Sequence, residues 1–211
     1  MKAEILHLLM FLVLLVVPGC ADRQASSQGN NPKALSQSKD PPAGNGGNVT
    51  KPRTKQPKPA PPRPLTPTET IKRLGGQITY ADDGRELSIT LAKATLADDD
   101  LKHLATMTSL ETLNLFRTDV TDAGLVHIRP LKELAHLILS ETQVTDAGMA
   151  EVAGLAKLQT LNLDGLPITD DALQRLHVLK NLVWLNLTAT KVTDAGVEQL
   201  QQALPGLEVL R

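Results

Sequence analysis

The chain has 211 residues, a formal net charge of −1, 41% apolar and 2% aromatic residues, and one cysteine. That charge gives no whole-protein electrostatic case for nucleic acid. One cysteine excludes a disulfide framework and a cysteine-based zinc site, and the few aromatics argue against base-stacking platforms.

Residues 1–19 read as a targeting segment. Met1–Glu4 carries a net charge of about +1, and Ile5–Val17 is a 13-residue run interrupted only by His7. A bilayer-spanning helix needs roughly 20 apolar residues, so the run fits the hydrophobic part of a secretory signal. The segment ends Val17-Pro18-Gly19-Cys20, which resembles the bacterial lipobox. The resemblance implies that Cys20 takes a diacylglycerol and becomes the mature N-terminus. Ordinary cleavage near Gly19 or Ala21, with Cys20 incidental, is the alternative. Lipidation would hold the exported chain at the cell membrane or outer membrane.

Residues 20–66 follow as a tether. Asp22–Thr66 holds eight Lys/Arg, two acids and nine prolines, and its only aliphatic residues larger than alanine are Leu35, Val49 and Leu65. Such a segment buries too little apolar area to offset chain entropy, so disorder is expected. The run Pro57–Pro64 favours polyproline II. A coil of this length reaches roughly 40 Å. It reads as a spacer; the alternative is that its charge of +6 holds anionic lipid or cell-wall polymer.

Residues 67–211 are governed by a repeat. Thr66-Pro67-Thr68-Glu69 has a cap, a proline at the first helical position and a glutamate that closes the box. A hairpin is expected next, strand Ile78–Tyr80 joined to strand Leu87–Ile89 through Ala81-Asp82-Asp83-Gly84. Helix and hairpin form a cap over 67–85, and repeats fill 86–211. Units begin at Leu110, Leu134, Leu158 and Leu182, each 24 residues after the last. A degenerate unit starts at Glu86. The last full unit has one extra residue before Leu207, and Leu207–Arg211 repeats the strand portion.

Each unit changes period inside itself. Leu113-Asn114-Leu115 alternates as a half-buried strand does, whereas Leu125, Ile128 and Leu131 recur every three residues, as on a helix. Between them Val120-Thr121-Asp122-Ala123-Gly124 offers Thr and Asp as helix caps. One unit cannot bury enough surface alone, so the units must stack. Leu166-Pro167 departs from the threonine found at Thr118, Thr142 and Thr190 and is expected to loosen its turn.

These units resemble the bacterial leucine-rich repeat family in its 24-residue LxxLxLxxTxVTDAGLxxLxxLxx form. That form is similar to the repeats of F-box substrate receptors and is abundant in planctomycete-like envelope proteins. The resemblance implies an α/β solenoid with a parallel concave sheet and short convex helices. No F-box is present, so no ubiquitin-ligase chemistry is carried over.

In such a solenoid the residues between the buried leucines face outward on the concave sheet. One column is Ser88, Thr112, His136, Thr160 and Trp184; the next is Thr90, Asn114, Ile138, Asn162 and Asn186. A third is Ala92, Phe116, Ser140, Asp164 and Thr188, and a fourth Lys93, Arg117, Glu141, Gly165 and Ala189. Five strands give a strip about 20 Å across. Trp184 and Phe116 are favoured interface anchors, with Ile138 exposed by register. The expected binding residues are Asn114, Phe116, Arg117, His136, Ile138, Glu141, Asn162, Asp164, Trp184 and Asn186.

Other chemistry finds little support. The aspartates of Asp98–Asp100 and the Thr-Asp repeats recur once per unit, whereas calcium needs six to eight converging oxygens. His103 and His127 stand in one column near Glu151, at a helix spacing of about 8–10 Å that is long for a shared metal. No G-x-S-x-G, Walker loop, H-E-x-x-H or dinucleotide motif occurs. No catalytic residue, metal or cofactor is expected, and residues 67–211 carry a net −7, which opposes nucleic-acid binding. The expected function is a non-enzymatic module for a protein or peptide partner. The alternative is a structural envelope protein that associates with its own copies or holds wall polymer.

Overall fold

A computed structural model describes residues 65–211, which lie in one compact unit. The signal segment, Cys20 and nearly all of the tether lie outside the described residues.

The first helix, α1 (Pro67–Arg73), starts as its sequence dictates. Thr66 Oγ1 accepts from the Glu69 N–H at 3.2 Å, and the Glu69 carboxylate accepts from the Thr66 N–H at 2.8 Å. The reciprocal pair satisfies two of the orphan donors at a helix start. Strands β1 (Gln77–Tyr80) and β2 (Glu86–Thr90) form an antiparallel hairpin. Its turn closes through Gly84 N–H to the Ala81 carbonyl at 2.9 Å, with Gly84 at φ +83°.

From β2 onward the sheet is parallel. Strands β3 (Thr112–Asn114), β4 (His136–Ile138), β5 (Thr160–Asn162), β6 (Trp184–Asn186) and β7 (Glu208–Leu210) add in chain order. Each pairs with its neighbour at a 24-residue offset. The returning segments are short. A 3-10 helix spans Asp98–Thr106; α2 (Asp122–Leu125) continues as a 3-10 turn, Val126–Ile128. A 3-10 turn, Asp146–Gly148, opens α3 (Met149–Val152). Only α4 (Asp170–Leu176) and α5 (Asp194–Ala203) exceed one α-helical turn in these returns. The spacing of three at Leu125, Ile128 and Leu131 is the period of a 3-10 helix, so tight turns bury all three at 0% exposure.

One apolar core runs the length of the stack. Strand leucines such as Leu113, Leu137, Leu161 and Leu185 and the return-segment residues Leu125, Met149 and Leu176 belong to it and are all 0% exposed. Burial of this kind supplies the dominant favourable term in folding.

After each strand the chain must turn away from the sheet, and it does so through one left-handed residue. Lys93, Arg117, Glu141 and Ala189 have φ between +55° and +61°, and Gly165 has +72°. Each non-glycine residue there is strained by its Cβ. Three of these turns are tied by a threonine hydroxyl donating to the carbonyl three residues back: Thr118 to Leu115, Thr142 to Leu139 and Thr190 to Leu187, at 2.7–2.8 Å. The turn at Leu166-Pro167 is not loosened. Leu166 is buried, its N–H donates to the Leu163 carbonyl at 3.2 Å, and Gly165 takes the left-handed position that glycine adopts most readily.

The aspartates of the Thr-Asp pairs do not act on their own helices as caps. Thr121, Thr145, Thr169 and Thr193 do the capping, each hydroxyl accepting from an N–H two or three residues ahead. The aspartates reach into the next unit. Asp98, Asp122, Asp146 and Asp170 each accept from the N–H and the hydroxyl of that unit's threonine, at 2.6–2.8 Å. The glycine of the same motif makes room: a Cβ on Gly124, Gly148 or Gly196 would fall within 2.4 Å of that carboxylate.

The last strand departs from simple repetition. Leu207 donates to Leu204 as Leu182 does to Leu179, a step of 25 residues, yet β7 pairs with β6 at an offset of 24. One residue is gained in the turn and one lost on entry to the strand. Val209 therefore stands beside Leu185 in the core row, and Leu210 joins the outward column beside Asn186, 45% exposed.

Candidate binding surface

The outward face of the sheet carries the columns that the period implies, but its residues are less accessible than alternation suggests. Strands about 4.8 Å apart leave little gap between small side chains, so neighbours cover one another. Asn114, Asn186 and Thr160 are 4–8% exposed. Ile138, expected to be exposed, is buried at 9%, held in register between Asn114 and Asn162.

The buried asparagines have a backbone task. The side-chain oxygen of Asn114 accepts from the Phe116 N–H at 2.9 Å, that of Asn162 from the Asp164 N–H at 3.1 Å, and that of Asn186 from the Thr188 N–H at 2.9 Å. Each asparagine satisfies the N–H two residues on, where the strand has ended and no neighbouring strand supplies a carbonyl. Their role is therefore to fix the surface from below. Sequence reading missed this; the signal was a column of asparagines interrupted once, by Ile138.

What remains accessible falls into two groups. Phe116, Arg117 and Glu141 lie together where the strands end. The Arg117 guanidinium sits 5.5 Å from the centroid of the Phe116 ring, and its Nε donates to the Glu141 carboxylate at 2.5 Å. Stacking on the ring and pairing with the acid hold a long side chain that would otherwise be free. Asp164 stands half-exposed one strand beyond Ser140, and its carboxylate has no partner among the described residues.

The second group is His136 and Trp184, on either side of the buried Thr160. His136 Nδ1 and Thr160 Oγ1 are 2.9 Å apart, and Trp184 is in register with Thr160 on the far side. Burial holds the His136 imidazole below its usual range, with the nearby Glu111 acting the other way. The ring is thus kept neutral, as a hydrogen-bonding surface group. Trp184 and Phe116 are three strands apart, about 14 Å, and in different columns. They do not form one aromatic patch.

Repeating strands, tight returns and a continuous leucine core define the architecture. The fold is a leucine-rich-repeat solenoid. Within it, residues 106–128 match the family described as Leucine Rich repeat. No curated protein matches the chain. Among solved structures, this solenoid is similar to an internalin from Listeria monocytogenes, at 18% identity and a TM-score of 0.41 over 58% of this chain and 39% of that one. It is also similar to a leucine-rich-repeat protein from Leptospira interrogans, at 22% identity and a TM-score of 0.38 over 51% and 33% of the two chains. The chain thus spans well under half the length of these structures.

Elsewhere on the solenoid, among the described residues, no three His, Cys, Asp or Glu side chains converge as metal ligands would. No described helix is long and apolar enough to cross a membrane. A shallow groove of about 340 Å³ lies between α4 and α5, lined by Asp170, Gln174, His177 and Gln199 over Leu173 and Leu200.

Proposed function

We propose that this chain is an exported, membrane-anchored leucine-rich-repeat module that binds a protein or peptide across its outward, concave sheet face. The observation that carries this reading is the set of fixed, half-exposed side chains on that face. Phe116 lies beneath an Arg117 guanidinium that Glu141 pairs, and Trp184 stands one strand from the hydrogen-bonded His136–Thr160 pair. A preordered surface loses little side-chain entropy on association, and aromatic and arginine side chains are the usual energetic anchors. No chemical step belongs to this reading; recognition is its function.

The anchor is Cys20, and the basic segment to residue 66 is the spacer. An intact mass carrying a diacylglycerol on Cys20, lost in Cys20→Ala, supports the anchor. An unmodified chain beginning near Ala21 removes it.

The test of the surface is affinity capture from envelope extract with the full chain, compared with the Phe116→Ala/Trp184→Ala variant. A partner retained by the first and lost by a folded second variant supports the reading. Equal capture by both removes the aromatic anchors from it.

A second reading is self-association as a structural envelope protein. It is favoured by Leu210, an apolar side chain 45% exposed on the outward face. A mass in solution that rises with concentration, and that Leu210→Lys returns to monomer, favours this reading.

A further inference from the structure

At one point the outward face already holds a cation between a ring and an acid. The Arg117 guanidinium lies 5.5 Å from the centroid of the Phe116 ring, and its Nε donates at 2.5 Å to Glu141 from the next strand. A cation gains twice in such a place, from the electron-rich face of the ring and from the carboxylate.

At β6 and β7 two of these three parts recur. Trp184 and Glu208 are in register, so an indole and a carboxylate leave neighbouring strands about 4.8 Å apart on the same face. The 24-residue offset of β7 brings this about; the 25-residue step of the leucines would have set Val209 beside Trp184. Glu208 is the only acid in a column otherwise made of Thr79, Ser88, Thr112, His136, Thr160 and Trp184. Trp184 is half-exposed and Glu208 exposed. Among the described residues no cation lies over Trp184 and none pairs with Glu208. Arg211, three residues on, is turned to Asp194 and to the Val192 carbonyl. The outward residues of β5 to β7 and of the turns that follow β5 and β6 include the unpaired acids Asp164 and Glu208 and no lysine or arginine. This part of the face is therefore complementary to positive charge.

We infer that Trp184 and Glu208 together seat a cationic side chain, an arginine or lysine of the protein partner. Its charged head lies against the indole and donates to the Glu208 carboxylate, as Arg117 does to its own ring and acid. Its methylene stem covers Leu210, two residues along β7 and 45% exposed on the same face. A neutral amide would gain the ring but not the charge, and a carboxylate would meet the repulsion of Glu208. This inference rests on the proposed use of the outward face and names the chemistry read at one end of it.

Trp184 is the only tryptophan, so its fluorescence reports on this place alone. The test titrates the full chain at constant ionic strength with N-acetyl-arginine amide, and with N-acetyl-glutamine amide as the neutral comparison. A probe this small binds in the millimolar range at best. The expected result is a saturable change in emission with the arginine probe and none with the glutamine probe. Glu208→Gln, a change at an exposed side chain, should weaken the arginine probe roughly two- to fivefold. Glu198→Gln, the same loss of charge on α5, should leave it unchanged. No saturable change, an equal response to the glutamine probe, or equal weakening by the two substitutions would overturn the inference. So would an emission that shifts with salt before any probe is added, and only while Glu208 is present, since that would seat the chain's own basic segment there. Loss of partner capture in Phe116→Ala/Trp184→Ala, with emission of the unsubstituted chain unresponsive to the arginine probe, would leave the surface reading standing and remove this one.

Discussion

Asp98 holds Thr121 from the preceding unit: its two carboxylate oxygens accept the threonine N–H at 2.8 Å and the hydroxyl at 2.6 Å. The same pair recurs three more times, ending with Asp170 and Thr193. There the two hydrogen bonds from Thr193 hold the Asp170 carboxyl below the usual carboxylate range. The series closes on Arg211, which pairs with Asp194. Stacked units gain stability from such neighbour terms.

Removing one rung tests its weight. Asp122→Ala leaves the Thr145 N–H and hydroxyl without their charged acceptor. Thr145 is exposed, so water replaces part of the loss, and a destabilisation of about 1–2 kcal/mol is expected. Urea unfolding should show it as a lower midpoint. Asp119→Ala, outside the ladder, should change the midpoint little.

The glycine beside three of the four rungs, Gly124, Gly148 and Gly196, answers to space and not to conformation. Gly148 has an ordinary φ, but its Cβ would fall 2.4 Å from Asp122 Oδ1 and 2.9 Å from Leu125 Cδ1. Ala172 occupies the equivalent place in the next unit, and Asp146 still holds Thr169 there at 2.7–2.8 Å. Gly148→Ala should therefore cost only about 1 kcal/mol, and Gly148→Val more, through overpacking. Thermal unfolding of the two variants gives the order.

The left-handed turn residues invite the opposite change. Ala189 sits at φ +55° and is exposed, whereas the third full unit already uses Gly165. Ala189→Gly should stabilise the fold by about 1 kcal/mol, the Cβ strain relieved exceeding the added freedom of the unfolded chain. Gly165→Ala should destabilise it by a similar amount, read from the same melts.

At Ile138 two effects nearly cancel. Ile138→Asn gives up an apolar side chain worth about 2 kcal/mol when buried. It gains an acceptor for the Ser140 N–H, which has none among the described residues and whose isolation costs about 1–3 kcal/mol. Net stability should change by less than about 1 kcal/mol, but amide exchange separates the terms. In the native chain Ser140 should exchange faster than Phe116, Asp164 and Thr188, and the substitution should slow it to their rate.

His136 adds a pH dependence of known sign. Its folded-state pKa is lowered from 6.5 by burial, so between 6.5 and the folded value the unfolded chain binds more protons. Its contribution to stability is complete above pH 6.5 and is lost as pH falls toward the folded value. Denaturant midpoints measured from pH 7.5 down should fall through this window, and His136→Thr, which copies Thr112 and Thr160, should remove that part of the slope.

Much of this followed from the period alone. A 24-residue repeat that alternates and then recurs every three residues determines parallel strands, tight returns and a stacked leucine core, because each unit must bury its face on the next. The capping box at Thr66 and the glycine turn at Gly84 were equally legible, since both act over three or four residues. Contacts between units were not. That Asp98 serves Thr121, and not its own helix, depends on two loops 23 residues apart meeting in space. That Ile138 is covered, that asparagines tie down the strand ends and that Ser140 is left without an acceptor depend on the 4.8 Å spacing of neighbouring strands. The place of Leu210 depended on a gain and a loss of one residue that no leucine count reveals. The period determined which residues share a column; only the tertiary structure decided which of them the column hides.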